Sequence, residues 1–204
     1  MNFLAHLLIA DHTNTSLAGA VGADFVRGPL DAWPEPLRTG MMLHRFIDAR
    51  IDHHPRVLAL KAAFAAEHRR MAGICLDLAF DHQLARHWPR YHAWPLPRFS
   101  QYCYQQMQAS APLPERFVPM LGAMQRTDWL VQYQQRENID GALYNIARRL
   151  SRPERLRAAI PEIWRLEHAI ADAFSELMPQ MLSDAEQYVR QKKRPAIGGA
   201  SSPK

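Results

Sequence analysis

The stretch PLRTGMMLHRFIDARIDH at 36–53 decides how the chain reads. Leu43, Ile47 and Ile51 recur at four-residue steps, the spacing that lays side chains along one face of an α-helix. His44, Asp48 and Asp52 run beside that row at the same step, so one face carries an imidazole and two carboxylates. The segment predicts a helix from Pro36 to His53. It stops ahead of Pro55, whose ring disfavours helical geometry in the residue before it.

Outward from there, apolar residues keep recurring at three and four positions, and no convincing run of alternating β-branched residues interrupts them. The chain reads as all-α. Helices are expected over about 2–10, from a Thr15 or Ser16 cap to Gly28, over 56–69 and over 72–88. Further ones are expected over 97–110, 114–126, 129–150 with a break, and 153–193. Residues 1–193 are read as a single helical domain. The tail at 194–204, RPAIGGASSPK, has no pattern that could pack and is expected to be disordered.

With 204 residues, 48% of them hydrophobic, the chain is long enough to bury a full core without disulfides. Cys75 and Cys103 are the only two cysteines, which excludes a disulfide scaffold and a cysteine zinc cluster. They read as packed thiols in a reducing cytoplasm. MNFLAHLLIA at 1–10 is apolar but lacks Lys and Arg and is followed at once by Asp11 and His12, so neither a secretory signal nor a membrane span is read there. The excess of 25 Lys and Arg over 20 Asp and Glu, a net +5, suggests an acidic partner. No interleaving of aromatic and basic residues marks a nucleic-acid module.

Chemistry is expected where acids and histidines interrupt apolar helix faces. Leu17, Val21 and Asp24 fall on one stripe, which puts a carboxylate toward the core. Buried alone, that charge would cost several kcal/mol, so it needs a base or a metal. Gly19 and Gly22 leave room for another helix backbone. Asp77 and Asp81 lie within the row Ile74, Leu78, Leu84 and Trp88, and His82 follows directly. Imidazole with carboxylate suits Mn, Fe or Zn, and oxygen-rich sites favour Mn or Mg. The same residues also read as hydrogen-bonded structural histidines and solvated acids. What favours a metal centre is that the device recurs in three separate helices. No Glu-x-x-His, His-Glu-x-x-His, Gly-x-Ser-x-Gly or phosphate-cradling loop is present.

MNFLAHL at 1–7, GADFVRG at 22–28, LHRFID at 43–48, RRMAGICLD at 69–77 and FDHQLARHW at 80–88, with DWLVQY at 128–133, together resemble the bacterial acyl carrier protein phosphodiesterases. The resemblance implies an all-α fold distantly similar to the HD-domain phosphohydrolases. It implies a hydrolase, using Mn2+ or Mg2+, that removes 4′-phosphopantetheine from holo acyl carrier protein. The metal ligands carried over are His6, Asp24, His44, Asp48, Asp77 and Asp81, with Asp24, His44 and His82 catalytic. Arg27 and Arg45 become candidate phosphate clamps. Arg69, Arg70, Arg86 and Arg90 become candidates for docking a carrier that is acidic around its modified serine. Two departures stand out: Leu8 occupies a position where family members often carry His, and the adjacent His-Asp doublet of the HD superfamily is absent. A nucleotide phosphohydrolase of the same fold and a non-enzymatic helical binding module are the alternatives.

Overall fold

A computed structural model describes residues 1–193, so the expectation for 194–204 lies outside the described residues. Eleven α-helices and no strand occur among the described residues. They are α1 (Phe3–His12), α2 (Leu17–Gly22), α3 (Leu37–Asp52), α4 (Pro55–Ala63), α5 (Ala72–Arg86), α6 (Leu96–Ala109), α7 (Phe117–Thr127), α8 (Trp129–Gln132), α9 (Arg136–Ala147), α10 (Pro153–Arg165) and α11 (Glu167–Lys193).

Helix α1 is buried continuously from Leu4 to Ala10, as a helix apolar on every side must be. It is packed against α2, α3, α5 and α11. Its N-terminus is buried too, so its free amides need a partner inside the protein. Asp81 of α5 supplies one: its Oδ2 accepts from the Leu4 amide at 2.8 Å and its Oδ1 from the Ala5 amide at 3.2 Å.

The pairing of α2 with α3 sets the geometry of the site. Ser16 caps α2, its Oγ accepting from the Gly19 amide at 3.0 Å. Gly19 and Gly40 then face each other so closely that a Cβ at Gly19 would lie 2.4 Å from the Leu37 carbonyl oxygen, and one at Gly40 2.6 Å from that of Ser16. Two side chains cannot be accommodated there, and their absence lets the two backbones touch. Gly22 is different, since a Cβ there would meet only side-chain atoms at 3.5 Å.

Several helices are shorter than the periodicity predicts, and three of the early stops have a tertiary cause. Helix α2 ends at Gly22 and tightens into a 3-10 turn at Ala23–Phe25. In a continuing α-helix the Ala20 carbonyl would accept the amide of residue 24, and here His44 Nδ1 donates to it at 2.7 Å. Helix α4 stops at Ala63, where Arg165 donates to the Ala63 carbonyl at 2.7 Å and Glu162 accepts the Ala65 amide at 2.9 Å. The segment expected over 129–150 divides into α8 and α9. Between them the Tyr133 carbonyl accepts from His82 Nδ1 at 2.7 Å. The span 153–193 turns at Leu166 into two helices. The second, α11, braces the outside through surface ion pairs such as Arg50–Asp184 and Arg56–Glu176, each 2.8 Å long. No helix among the described residues is long and apolar enough to cross a membrane.

Candidate metal centre

Helices α1 and α3 each bring a histidine to one carboxylate. Asp48 of α3 offers Oδ1 to His6 Nε2 of α1 at 3.0 Å and Oδ2 to His44 Nε2, one helical turn earlier, at 2.9 Å. Asp24, on the 3-10 turn after α2, places Oδ1 3.3 Å from the same His44 nitrogen. The two imidazoles stack with centroids 3.9 Å apart. His6 and His44 are buried, whereas the side chains of Asp24 and Asp48 are 44% and 39% exposed, so the cluster opens to solvent through its acids. Asp24 is thus at the mouth of the site and not on the buried stripe that its spacing from Leu17 and Val21 predicts. The early end of α2 puts it there.

Charge is distributed unevenly over the pair of rings. Burial alone would lower His44, but hydrogen bonds and the charges of Asp24 and Asp48 together push it up to about 9. His6 is lowered to about 4, by burial first and then by the neighbouring His44 charge, against the pull of Asp48. The two histidines hold the Asp48 carboxyl well below the usual range despite its partial burial. Without a cation the cluster is therefore an imidazolium held between two carboxylates, with a neutral imidazole stacked on it.

The donor set suits a divalent cation. One ligand atom each from His6, His44 and Asp48 lies within 4.8 Å of the others. His44 Nδ1 is fixed by the Ala20 carbonyl, which directs Nε2 at the carboxylates, the support that ligating histidines commonly have. Adjacent ligands around an octahedral ion with bonds of about 2.1 Å stand roughly 3.0 Å apart. The contacts of 2.9, 3.0 and 3.3 Å within the cluster are hydrogen bonds and ion pairs that a bound cation would replace.

The other carboxylates expected at the centre are placed differently. Asp77 accepts from the Met1 α-amino group at 3.0 Å, and that ammonium lies 3.9 Å from Asp48, so it links Asp77 to the edge of the cluster. Burial would lower the ammonium, but Asp77 and Asp48 hold it raised. Asp81 is fully buried against the first turn of α1, where burial pushes its carboxyl up to about 7 against two backbone hydrogen bonds. His82 faces away from the cluster atoms, bonded to Tyr133 and edge-on to Trp164, and its Nε2 is buried without a partner. Asp52 pairs with Lys61 on the surface at 2.9 Å.

An open depression of about 830 Å³ lies beside Asp24, with Arg27, Arg116 and Arg149 in its lining. Arg27 was legible from GADFVRG. Arg116 and Arg149 were not, because nothing local in the sequence brings α7 and the end of α9 to residue 24. Arg45 is engaged otherwise, donating to the carbonyls of Gly28 at 2.8 Å and Val26 at 3.1 Å, and so fixes the loop that follows Asp24. Arg69 donates to the Phe64 carbonyl at 3.2 Å, Arg86 pairs with Glu167 at 3.0 Å, and Arg70 and Arg90 are exposed. Cys75 and Cys103 are buried free thiols, both raised by burial.

An all-helical chain that gathers two imidazoles and two carboxylates beside an arginine-lined depression has the layout of a hydrolase for anionic substrates. A family profile described as acyl carrier protein phosphodiesterase matches residues 1–181. Among curated relatives of that name, the protein of Serratia proteamaculans (strain 568) is 37% identical over 189 residues, covering 91% of this chain and 98% of its own length. That of Escherichia coli O6:H1 is 35% identical over 188 residues, covering 91% and 97%. The chain belongs to the acyl carrier protein phosphodiesterase family. No solved structure matches it.

Proposed function

We propose that this chain is a cation-dependent phosphodiesterase of the bacterial cytoplasm, built on a helical scaffold of the HD-domain phosphohydrolase kind, that removes 4′-phosphopantetheine from holo acyl carrier protein. The observation that carries the reading is the His6–His44–Asp48 cluster opening, through Asp24, onto a depression containing Arg27, Arg116 and Arg149. His6, His44 and Asp48 would hold the cation; the family resemblance implies manganese, with magnesium as the alternative, and imidazole with carboxylate is compatible with manganese. A divalent cation held there would neutralise phosphoryl oxygens and lower the pKa of a bound water toward neutrality.

The remaining roles fall to this chain's own side chains. Asp24, half-exposed at the mouth, accepts a proton from the attacking water. Arg27, Arg116 and Arg149 attract and orient the phosphodiester. The seryl oxygen departs into the open depression, where solvent can protonate it. His82 is assigned a structural role by its bond to Tyr133. Asp81 holds α1, and with it His6, in register. The exposed arginines around the depression favour a carrier surface rich in carboxylates.

Incubating the protein and Mn2+ with holo acyl carrier protein tests this directly, with intact-mass spectrometry to follow the carrier. Conversion to the apo form, lost in His44→Ala and Asp48→Asn, is the expected result. Turnover of a nucleotide panel with no change in the carrier would assign the site to another phosphoester.

A further inference from the structure

Next to the depression lies a second, more enclosed cavity of about 290 Å³. Its apolar walls are Phe3, Leu78, Met120, Trp129 and Ile146, and carboxamides of Asn2, Gln132, Asn138 and Asn145 are set among them. Met120, Trp129 and Arg149 line both spaces, so the two adjoin, with the arginines and Asp24 on one side and the amide-bearing apolar cavity on the other.

We infer that this cavity receives the pantetheine arm of the substrate while its phosphate stays beside Asp24 and Arg149. The inference rests on the phosphodiesterase reading above and extends it to a binding site for the released half of the substrate. The chemistry of the two partners corresponds. Pantetheine is an uncharged chain in which two amides alternate with short aliphatic segments. It therefore needs apolar walls with hydrogen-bonding groups placed between them. Among the lining residues only Arg149 is charged, and it is shared with the phosphate end. Asn2 Nδ2 already donates to the Tyr133 hydroxyl at 3.0 Å, and Asn138 Nδ2 donates to the Gln132 carbonyl at 3.2 Å. Each of those side chains thus keeps its carbonyl oxygen for an amide N–H of the arm. An amide-bearing cavity also accounts for selection of a phosphopantetheinyl serine over other phosphodiesters, since a site built to pair polar groups rejects ligands that leave them unpaired.

Gly141 of α9 gives a clean way to test this. It lines the cavity, and a Cβ there would meet nothing within 4 Å, so a side chain at this position starts in open space. Asn145, exposed one turn further along the same helix, offers a second plug. With the full chain and Mn2+, kcat/KM for holo carrier and inhibition by free pantetheine are measured for wild type, Gly141→Phe and Asn145→Trp. Pantetheine binding is followed by calorimetry, and thermal melts with and without Mn2+ report folding and cation binding. Pantetheine is expected to compete with holo carrier on the wild type. Both plugs should lower kcat/KM at least tenfold and lose pantetheine binding, yet keep the melting increment from Mn2+. Two folded plug variants with wild-type kcat/KM, or a wild type that pantetheine does not bind, overturn the arm site even when carrier hydrolysis stands. If the wild type leaves holo carrier intact, the phosphodiesterase reading falls. Pantetheine binding that the plugs abolish would then keep the arm site on its own evidence, and absence of binding would remove both.

Discussion

Gly40→Ala should loosen the metal centre without touching any of its ligands. The new methyl would be placed 2.6 Å from the Ser16 carbonyl oxygen, 3.0 Å from Gly19 Cα and 3.1 Å from Ser16 Cβ. These neighbours are backbone atoms or a short side chain, and none can swing away. Restoring ordinary contact requires α2 and α3 to part by about 0.8 Å, because the interior has no slack to absorb it. Overpacking of this kind costs about 1–3 kcal/mol, here toward the upper end, and the better helix propensity of Ala returns about 1 kcal/mol. A net loss of about 2 kcal/mol lowers the melting temperature by roughly 4–8 °C in a chain of this size. The same parting stretches the 2.7 Å bond from His44 to the Ala20 carbonyl to about 3.5 Å, past a useful hydrogen bond. Losing the support of a ligating histidine typically weakens cation affinity by about 10–100-fold. Thermal melts and a Mn2+ titration measure both effects. Gly73→Ala is the control, since its Cβ would meet only Lys61 Cε at 3.9 Å, and it should be neutral or stabilising by up to about 1 kcal/mol. A Gly40→Ala protein that melts and binds Mn2+ like the parent would refute the argument that this glycine contact holds the site together.

Cation binding must displace the proton held by His44, so calorimetry in buffers of different ionisation enthalpy should show proton release near pH 7 that declines above about pH 9. Because His44 is raised above its ordinary value of 6.5, its contribution to the stability of the cation-free protein is complete below that value and is lost as pH rises through about 9; His44→Gln should flatten the stability profile over this window. His82→Ala is expected to destabilise the fold, through the lost bond to Tyr133, while keeping the melting increment from Mn2+. His44→Ala should lose that increment, and equal retention in both would remove His44 from the centre. Replacing Arg27 and Arg116 together by Ala should raise KM for holo carrier most at low salt and progressively less as ionic strength rises past the physiological range, where screening acts over about 8 Å.

Much of the site was legible because helical spacing is a local property. His44 and Asp48 are four residues apart, and their common face follows from periodicity alone. The all-α reading rests on the same regularity, repeated along the chain. His6 and Asp24 joined the cluster through their motifs, although Asp24 was expected on a buried stripe. Its actual place depends on His44 capturing the Ala20 carbonyl, a contact between residues 24 positions apart that no local pattern encodes. Asp81 looked like a ligand because an acid in an apolar row needs a partner. It found two backbone amides in α1, 77 and 76 residues away, which satisfy a carboxylate as a cation would. Arg116, Arg149 and the cavity around Gly141 were invisible for a related reason: they come from α9 and from the residues just before α7 and just after α9, segments with no unusual composition. Helices α2, α4 and α8 end early in the same way, with a distant side chain bonding a backbone carbonyl or amide at the break.

The Asp81 contact with α1 also orders events during synthesis. His6, Asp24, His44 and Asp48 all lie within the first quarter of the chain, and proximity along the sequence would let them meet early. Helix α1, however, is buried on every side, and the first turn that carries the chain toward His6 has its amides satisfied only by a residue of α5. A ribosome adding about 5–20 residues each second completes the four cluster residues about 2–7 s before that anchor. During the interval the acids are present without the packing that spaces them. On the proposed reading, competence to hold a cation arrives with the long-range closure of the core, so a growing chain would have little means of sequestering metal before it has folded around it.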